Sequence, residues 1–273
     1  MNMYLQIFLI TALTGSGGLA LGGSMAAAVR SPSDKTVSLL LRFTAGVMLS
    51  VVCFDLVDEA MEGIQPLAVR TSALCWIVVG FLCTYLLNCW IDKRAHHSHG
   101  HGGGHSHDHG HPDHGGGKQC ACGRHSLRTA GLVLAAAVAL HNVPVGMAIG
   151  ATFAGAAQGG VLAALIIGLH NIPEGMSIAA PLLAGGAKSA GAIGVAALSG
   201  LPTVLGALLG YGVGTMDPML LAASLSFAAG AMLYVVFGEL LPESERLWQG
   251  KLSGLATVLG LLLGIALIFT HTH

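Results

Sequence analysis

The chain has 273 residues, of which 9% are charged, 53% are apolar (AVILMFWYC) and 40 are glycine. A soluble domain carries about a quarter charged residues, so too few remain here to solvate a globule of this size. The formal net charge of −1 excludes a strongly basic nucleic-acid binder, and a mean hydropathy of +0.73 points to a polytopic membrane protein.

Apolar runs of about twenty residues can each cross a hydrocarbon core of about 30 Å. They predict an all-α membrane protein with eight spans, near 4–29, 37–57, 67–91, 129–152, 159–184, 189–214, 218–241 and 252–270. The first run has no basic leader and Arg30 follows it, which argues against a signal peptide. Span 2 carries Met48 at mid-depth and Asp55 two turns further on. Between spans 3 and 4, residues 96–114 hold nine histidines among nineteen positions: His96, His97, His99, His101, His105, His107, His109, His111 and His114. Cys120 and Cys122 follow. Such a stretch builds no packed core and reads as a disordered loop whose imidazoles and thiols buffer or sense metal; the blander alternative is a solvated linker. Cys53, Cys75, Cys83 and Cys89 lie in spans and read as small apolar packers.

Lysine and arginine accumulate on the cytoplasmic side of a membrane. Alternate loops carry Arg30, Lys35, Arg42, Lys93, Arg94, Lys118, Arg124, Arg128, Lys188, Arg246 and Lys251, against Arg70 alone on the other side. The bias puts both termini outside and the 92–128 segment in the cytoplasm.

Internal repeats follow. Phe43–Ala60 and Phe227–Ser244 agree at nine of eighteen positions, and Leu140–Ile149 and Leu169–Ile178 agree at seven of ten. Ala12–Gly15 (ALTG) echoes Ala197–Gly200 (ALSG). Spans 2 and 7 run in opposite directions, as do spans 4 and 5, which predicts a 3+2+3 inverted repeat of the kind found in transporters. The chain divides accordingly into 1–91 (spans 1–3), the 92–128 loop, 129–187 (central spans 4 and 5) and 188–273 (spans 6–8).

A histidine or carboxylate at mid-span costs several kcal/mol unless partnered, so His141, His170 and Glu174 are functional candidates. His170 and Glu174 are four apart and share a helix face; imidazole nitrogen and carboxylate oxygen at that spacing can close on one divalent cation. His141 occupies the equivalent place on the antiparallel neighbour. Pro144 and Pro173 each remove an N–H and predict kinked helices whose freed backbone lines a polar cavity. Asn142 and Asn171 either satisfy that backbone or add an oxygen to a site. Met48 and its repeat partner Met232 read either as soft thioether ligands or as gap-fillers. Asp55 falls near the outer end of span 2 and Glu239 near the inner end of span 7, as two mouths of one cation path. The competing reading is that these polar groups only stitch helices together.

Two consecutive HN-x-P-x-G helices, a histidine-rich loop between spans 3 and 4, and eight spans with both termini outside resemble the ZIP (Zrt/Irt-like) family of divalent-metal transporters, its bacterial GufA-like branch most of all. The resemblance implies uptake of zinc into the cytoplasm across the inner membrane, with Fe²⁺, Mn²⁺ or Cd²⁺ as alternative cargo and no cofactor. It further implies a four-helix transport bundle sliding against a scaffold, in a homodimer surrounded by lipid. By the same resemblance the first metal site falls on Met48, His141, His170 and Glu174, an entrance group on Asp55 and an exit carboxylate on Glu239. The chain departs from the family pattern at Val145, Asn171 and Thr203, where acidic ligands are usual. Those losses predict a mononuclear centre, and competition between protons and metal for the imidazoles predicts lower occupancy in acid. A cation-diffusion-type exporter would be expected to have six spans and a soluble C-terminal domain. A membrane metallohydrolase would be expected to carry H-E-x-x-H, which is absent.

Overall fold

In hydrocarbon a chain must satisfy its own backbone, which helices do. The computed structural model describes residues 2–29, 33–61, 67–97, 116–213 and 218–269, and among these it contains eight helices long and apolar enough to cross a membrane. They are α1 (Met3–Ala28), α2 (Asp34–Phe54), α3 (Thr71–Trp90), α4 (Leu127–Gly155), α5 (Ala157–Ala184), α6 (Ser189–Gly212), α7 (Ala222–Leu247) and α8 (Leu252–Phe269). Each matches an expected span. The α2 helix starts earlier than its hydropathy suggests because Ser33 caps it, accepting from the Thr36 N–H, with Asp34 in the first turn. The helix containing α3 continues to His97, and the one containing α4 begins at Gly116. Helical backbone therefore extends into both ends of the 92–128 segment, because an established helix propagates through helix-favouring residues such as Lys, Arg, Gln and Ala.

Glycine sets the helix pairing. A Cβ built on Gly46 of α2 would fall 2.0 Å from the Thr257 carbonyl oxygen of α8, and one on Gly260 of α8 would fall 2.0 Å from that of Phe43. The same reciprocity joins Gly80 of α3 to Gly230 of α7, Gly146 of α4 to Gly206 of α6, and Gly22 of α1 to Gly175 of α5, with clashes between 1.9 and 2.2 Å. Backbones that touch in this way gain dispersion contact without a hydrophobic driving force. Contacts of α4 with α5 and of α1 with α6 complete one four-helix group (α1, α4, α5, α6), and α2 with α7 completes another (α2, α3, α7, α8). The groups meet along a seam where α2 passes α5 and α7 passes α4. Among the described residues, no glycine makes such a backbone clash across that seam. The most apolar window of α4 is 67% buried and that of α8 only 11%, so α4 is central and α8 peripheral.

Both α4 and α5 are helical through Pro144, Pro173 and Pro181, each of which leaves one bond out of the helical ladder. The wide π-turns lie in their neighbours, at Ala12–Gly17 of α1, Val52–Leu56 of α2 and Val235–Leu240 of α7. The α6 helix breaks at Gly200, where Thr203 N–H bonds the Gly200 carbonyl at 3.1 Å. The α2 and α7 turns occupy matching positions of the sequence repeat, one containing Asp55 and the other Glu239.

Candidate metal centre

The α4–α5 contact brings together the residues that the paired motif singles out. His141 and Glu174 are 0% exposed and His170 is 6% exposed. Their candidate ligand atoms all lie within 4.8 Å of one another. The Nε2 atoms of His141 and His170 are each 3.3 Å from Glu174 Oε1. One carboxylate thus faces two imidazoles, one from its own helix four residues earlier and one from the antiparallel neighbour. Among the described residues its ion pairs are with these histidines, and neither its oxygens nor His141 Nδ1 makes a hydrogen bond. Leaving a buried carboxylate so arranged is costly unless a cation completes the site. Two imidazole nitrogens and one carboxylate oxygen are a donor set that suits a borderline-soft divalent ion.

The asparagines beside the histidines use their amide nitrogens on neighbouring helices, while the buried Oδ1 of each makes no hydrogen bond among the described residues. Asn142 Nδ2 donates to the Ser199 carbonyl on α6 at 3.0 Å, and Asn171 Nδ2 donates to the Thr14 carbonyl on α1 at 3.1 Å. Of the two roles expected for these residues, the amide nitrogens perform backbone satisfaction, on neighbouring helices, and the oxygens are left for a ligand. The acceptors are the third residues of the ALTG and ALSG echoes and sit where α1 widens and α6 breaks. Thr203 is fully buried, and a Cβ on Gly15 would fall 3.1 Å from its Cβ.

Val145, at the position matching Glu174, lines a cavity of about 30 Å³ beside His170, with Val51, Leu56, Ala148, Ile167, Leu225 and Met232. That volume holds about one or two waters. Met48 is buried in the same apolar core as Val145 and Met232, yet it is Met232 that shares the cavity with His170. The Asp55 side chain lies outside the described residues, as do residues 98–115 with His99, His101, His105, His107, His109, His111 and His114. His96, His97, Cys120 and Cys122 are on helical backbone, with side chains outside the described residues.

Two features escape a reading of the sequence. Glu239 is held by neighbours: Asn88 Nδ2 of α3 and Tyr234 Oη both donate to its Oε1, the latter at 3.1 Å. Asn88 also donates to Tyr234 Oη at 2.6 Å. The signal was a lone asparagine in span 3 and a tyrosine where the other repeat copy has Ser50. The second feature is a hydrogen bond from Thr44 Oγ1 of α2 to the Pro173 carbonyl of α5, at 3.1 Å.

Residues 3–271 match the family described as ZIP zinc transporter. Zinc transporter ZupT of Chlorobium luteolum is 30% identical over 275 residues, covering 98% of this chain and 97% of that protein. Zinc transporter ZIPB of Bordetella bronchiseptica is 32% identical across 93% of this chain and 76% of its own length. Zinc transporter GufA of Myxococcus xanthus is 42% identical over 116 residues, covering 42% of this chain and 46% of that protein.

Proposed function

Because the chain belongs to the ZIP zinc transporter family and is a multi-pass membrane carrier of divalent metal, we propose that it moves Zn²⁺ towards the cytoplasm through a mononuclear site formed by His141, His170 and Glu174. The observation that carries this reading is the convergence of three buried ligand atoms within 4.8 Å of one another between α4 and α5. The replacement of acidic ligands by Val145 and Thr203 supports a single ion, since one carboxylate is all the anionic charge the described centre holds. Asp55, on the π-turn of α2, receives the cation. Replacement of its water by the imidazoles and the carboxylate follows, and Glu239 passes it on towards the histidine-rich segment. The basic-residue bias supports an inward direction of uptake with that segment in the cytoplasm.

Alternating access then uses the seam. The packing supports an inverted repeat: exchanging α1 with α6, α2 with α7, α3 with α8 and α4 with α5 turns each glycine-sealed pair into another such pair. In this reading the group carrying the ion (α1, α4, α5, α6) slides against α2, α3, α7 and α8. Initial Zn²⁺ uptake into proteoliposomes tests the site. His141→Ala and His170→Ala each remove a direct ligand and are expected to lower it by more than about a hundredfold, beyond the roughly 10- to 100-fold in affinity that loss of an outer partner costs. Uptake unchanged in both variants would refute the assignment.

A further inference from the structure

We propose that Thr44 is a positioning residue, a latch that fastens α2 to the ion-carrying helix α5 in the conformation seen here, and that its absence from the mirror-related seam biases the transport cycle towards this state. The inference rests on the inverted-repeat reading above.

A threonine inside an apolar helix ordinarily bonds back to its own chain. Thr11, Thr14, Thr84 and Thr257 all do so, each to the carbonyl four residues earlier, at 2.7, 2.9, 3.0 and 3.3 Å. Thr44, fully buried, instead reaches across the seam to the Pro173 carbonyl. That carbonyl belongs to the residue immediately before Glu174, so the bond fixes the peptide from which the shared carboxylate projects. The alternative acceptor, the Leu40 carbonyl one turn back on α2, is available by a rotation about χ1, because threonine in a helix populates two rotamers. Breaking the latch therefore leaves no orphaned donor, and the bond can open and reform without a large penalty. A permanent structural tie would lack this escape.

The repeat supplies the second half of the argument. Thr44 corresponds to Ala228, buried on α7, and Pro173 corresponds to Pro144 on α4. In an inverted-repeat carrier the opposite-facing state is approximated by exchanging the conformations of the two halves. The exchanged seam would set Ala228 against the Pro144 carbonyl, where no hydroxyl is present to donate. One state carries the bond across the seam; in the other Thr44 falls back on the Leu40 carbonyl, so the bias is the difference between these two bonds. That difference weights the equilibrium by up to about tenfold, the worth of one whole intramolecular hydrogen bond.

The test uses the full chain in proteoliposomes. Spin labels are placed through unnatural residues at the lipid-exposed positions Leu198 on α6 and Leu262 on α8, one in each helix group, and Zn²⁺ uptake is measured alongside. Thr44→Val removes the latch and Ala228→Ser supplies its mirror image. Each should shift the distance distribution in the same direction, by up to about tenfold in population, with KM and Vmax both changed. The double variant should shift it further, and Thr44→Ser should retain the native distribution. A purely structural role for Thr44 does not predict that a hydroxyl added on a different helix reproduces its loss. If Thr44→Val fails to fold, Ala228→Ser alone decides, since Thr44 is then intact. Unchanged distributions and kinetics in both, with uptake abolished by Glu174→Gln, overturn the latch and leave the ion site standing. Uptake that survives Glu174→Gln overturns the site reading, while the distance distributions of Thr44→Val and Ala228→Ser still decide the latch.

Discussion

The two copies of HN-x-P-x-G differ in chemistry at one decisive position. On α5 the residue after the proline is Glu174, which faces both imidazoles; on α4 it is Val145, which lines a small apolar cavity. Elsewhere the copies behave alike: each histidine joins the cluster, each asparagine amide grips a carbonyl on an outer helix, and each glycine seals a backbone contact. The motif is thus a scaffold used twice, and a single carboxylate on one copy turns the pair into a site. The anionic charge of the described centre comes from that one side chain, and in the reading proposed above it sets the number of ions held.

The comparison can be broken most directly by exchanging like for like. Glu174→Gln should abolish uptake, because it removes the sole anion among the clustered ligands, whereas Val145→Gln should leave measurable transport. Equal loss in both, measured as initial Zn²⁺ rates at matched expression, would show that the copies are not differentiated. A second variant sharpens the contrast. Val145→Glu restores a carboxylate to the α4 copy, and two buried anions repel unless cations neutralise them. This variant should bind a second ion per chain and gain thermal stability with added Zn²⁺ beyond that of the native protein. An unchanged metal-to-protein ratio in equilibrium dialysis would contradict it. The smallest effect is expected where the copies are alike. Asn142→Ala and Asn171→Ala each delete one buried hydrogen bond worth about 1 kcal/mol, so they should lower the melting temperature by similar small amounts. A large disparity would mean that one amide serves the ion rather than the helix packing.

Hydropathy made the eight spans legible, because length and apolarity are what a bilayer selects. The candidate cluster of His141, His170 and Glu174 was legible for a different reason. A histidine and a glutamate four residues apart must share a helix face, and the duplicated motif names the partner helix. The location of the open backbone could not be read in this way. Pro144 and Pro173 marked missing ladder bonds in α4 and α5, which continue as helices, but nothing in the sequence marked the further irregular turns in α1, α2, α6 and α7. A proline states that an N–H is missing but not which neighbour yields to accommodate it. Nor does a single sequence reveal which glycines meet which carbonyls, since Gly46 and Gly260 find each other only once α2 and α8 are side by side. The restraint of Glu239 by Asn88 and Tyr234 was hidden likewise, with the three donors and acceptors drawn from α3 and α7.

The reciprocal glycines also govern mechanical compliance. Where two backbones touch, no side chain stands between them to change rotamer and absorb a displacement, so each sealed pair behaves as a stiff beam. The seam, with ordinary side chains along it, is the softer joint. In the sliding mechanism proposed above, strain created as ligands tighten around an arriving ion would pass through these beams to that joint. A sub-ångström local adjustment would there become movement of one whole beam assembly past the other.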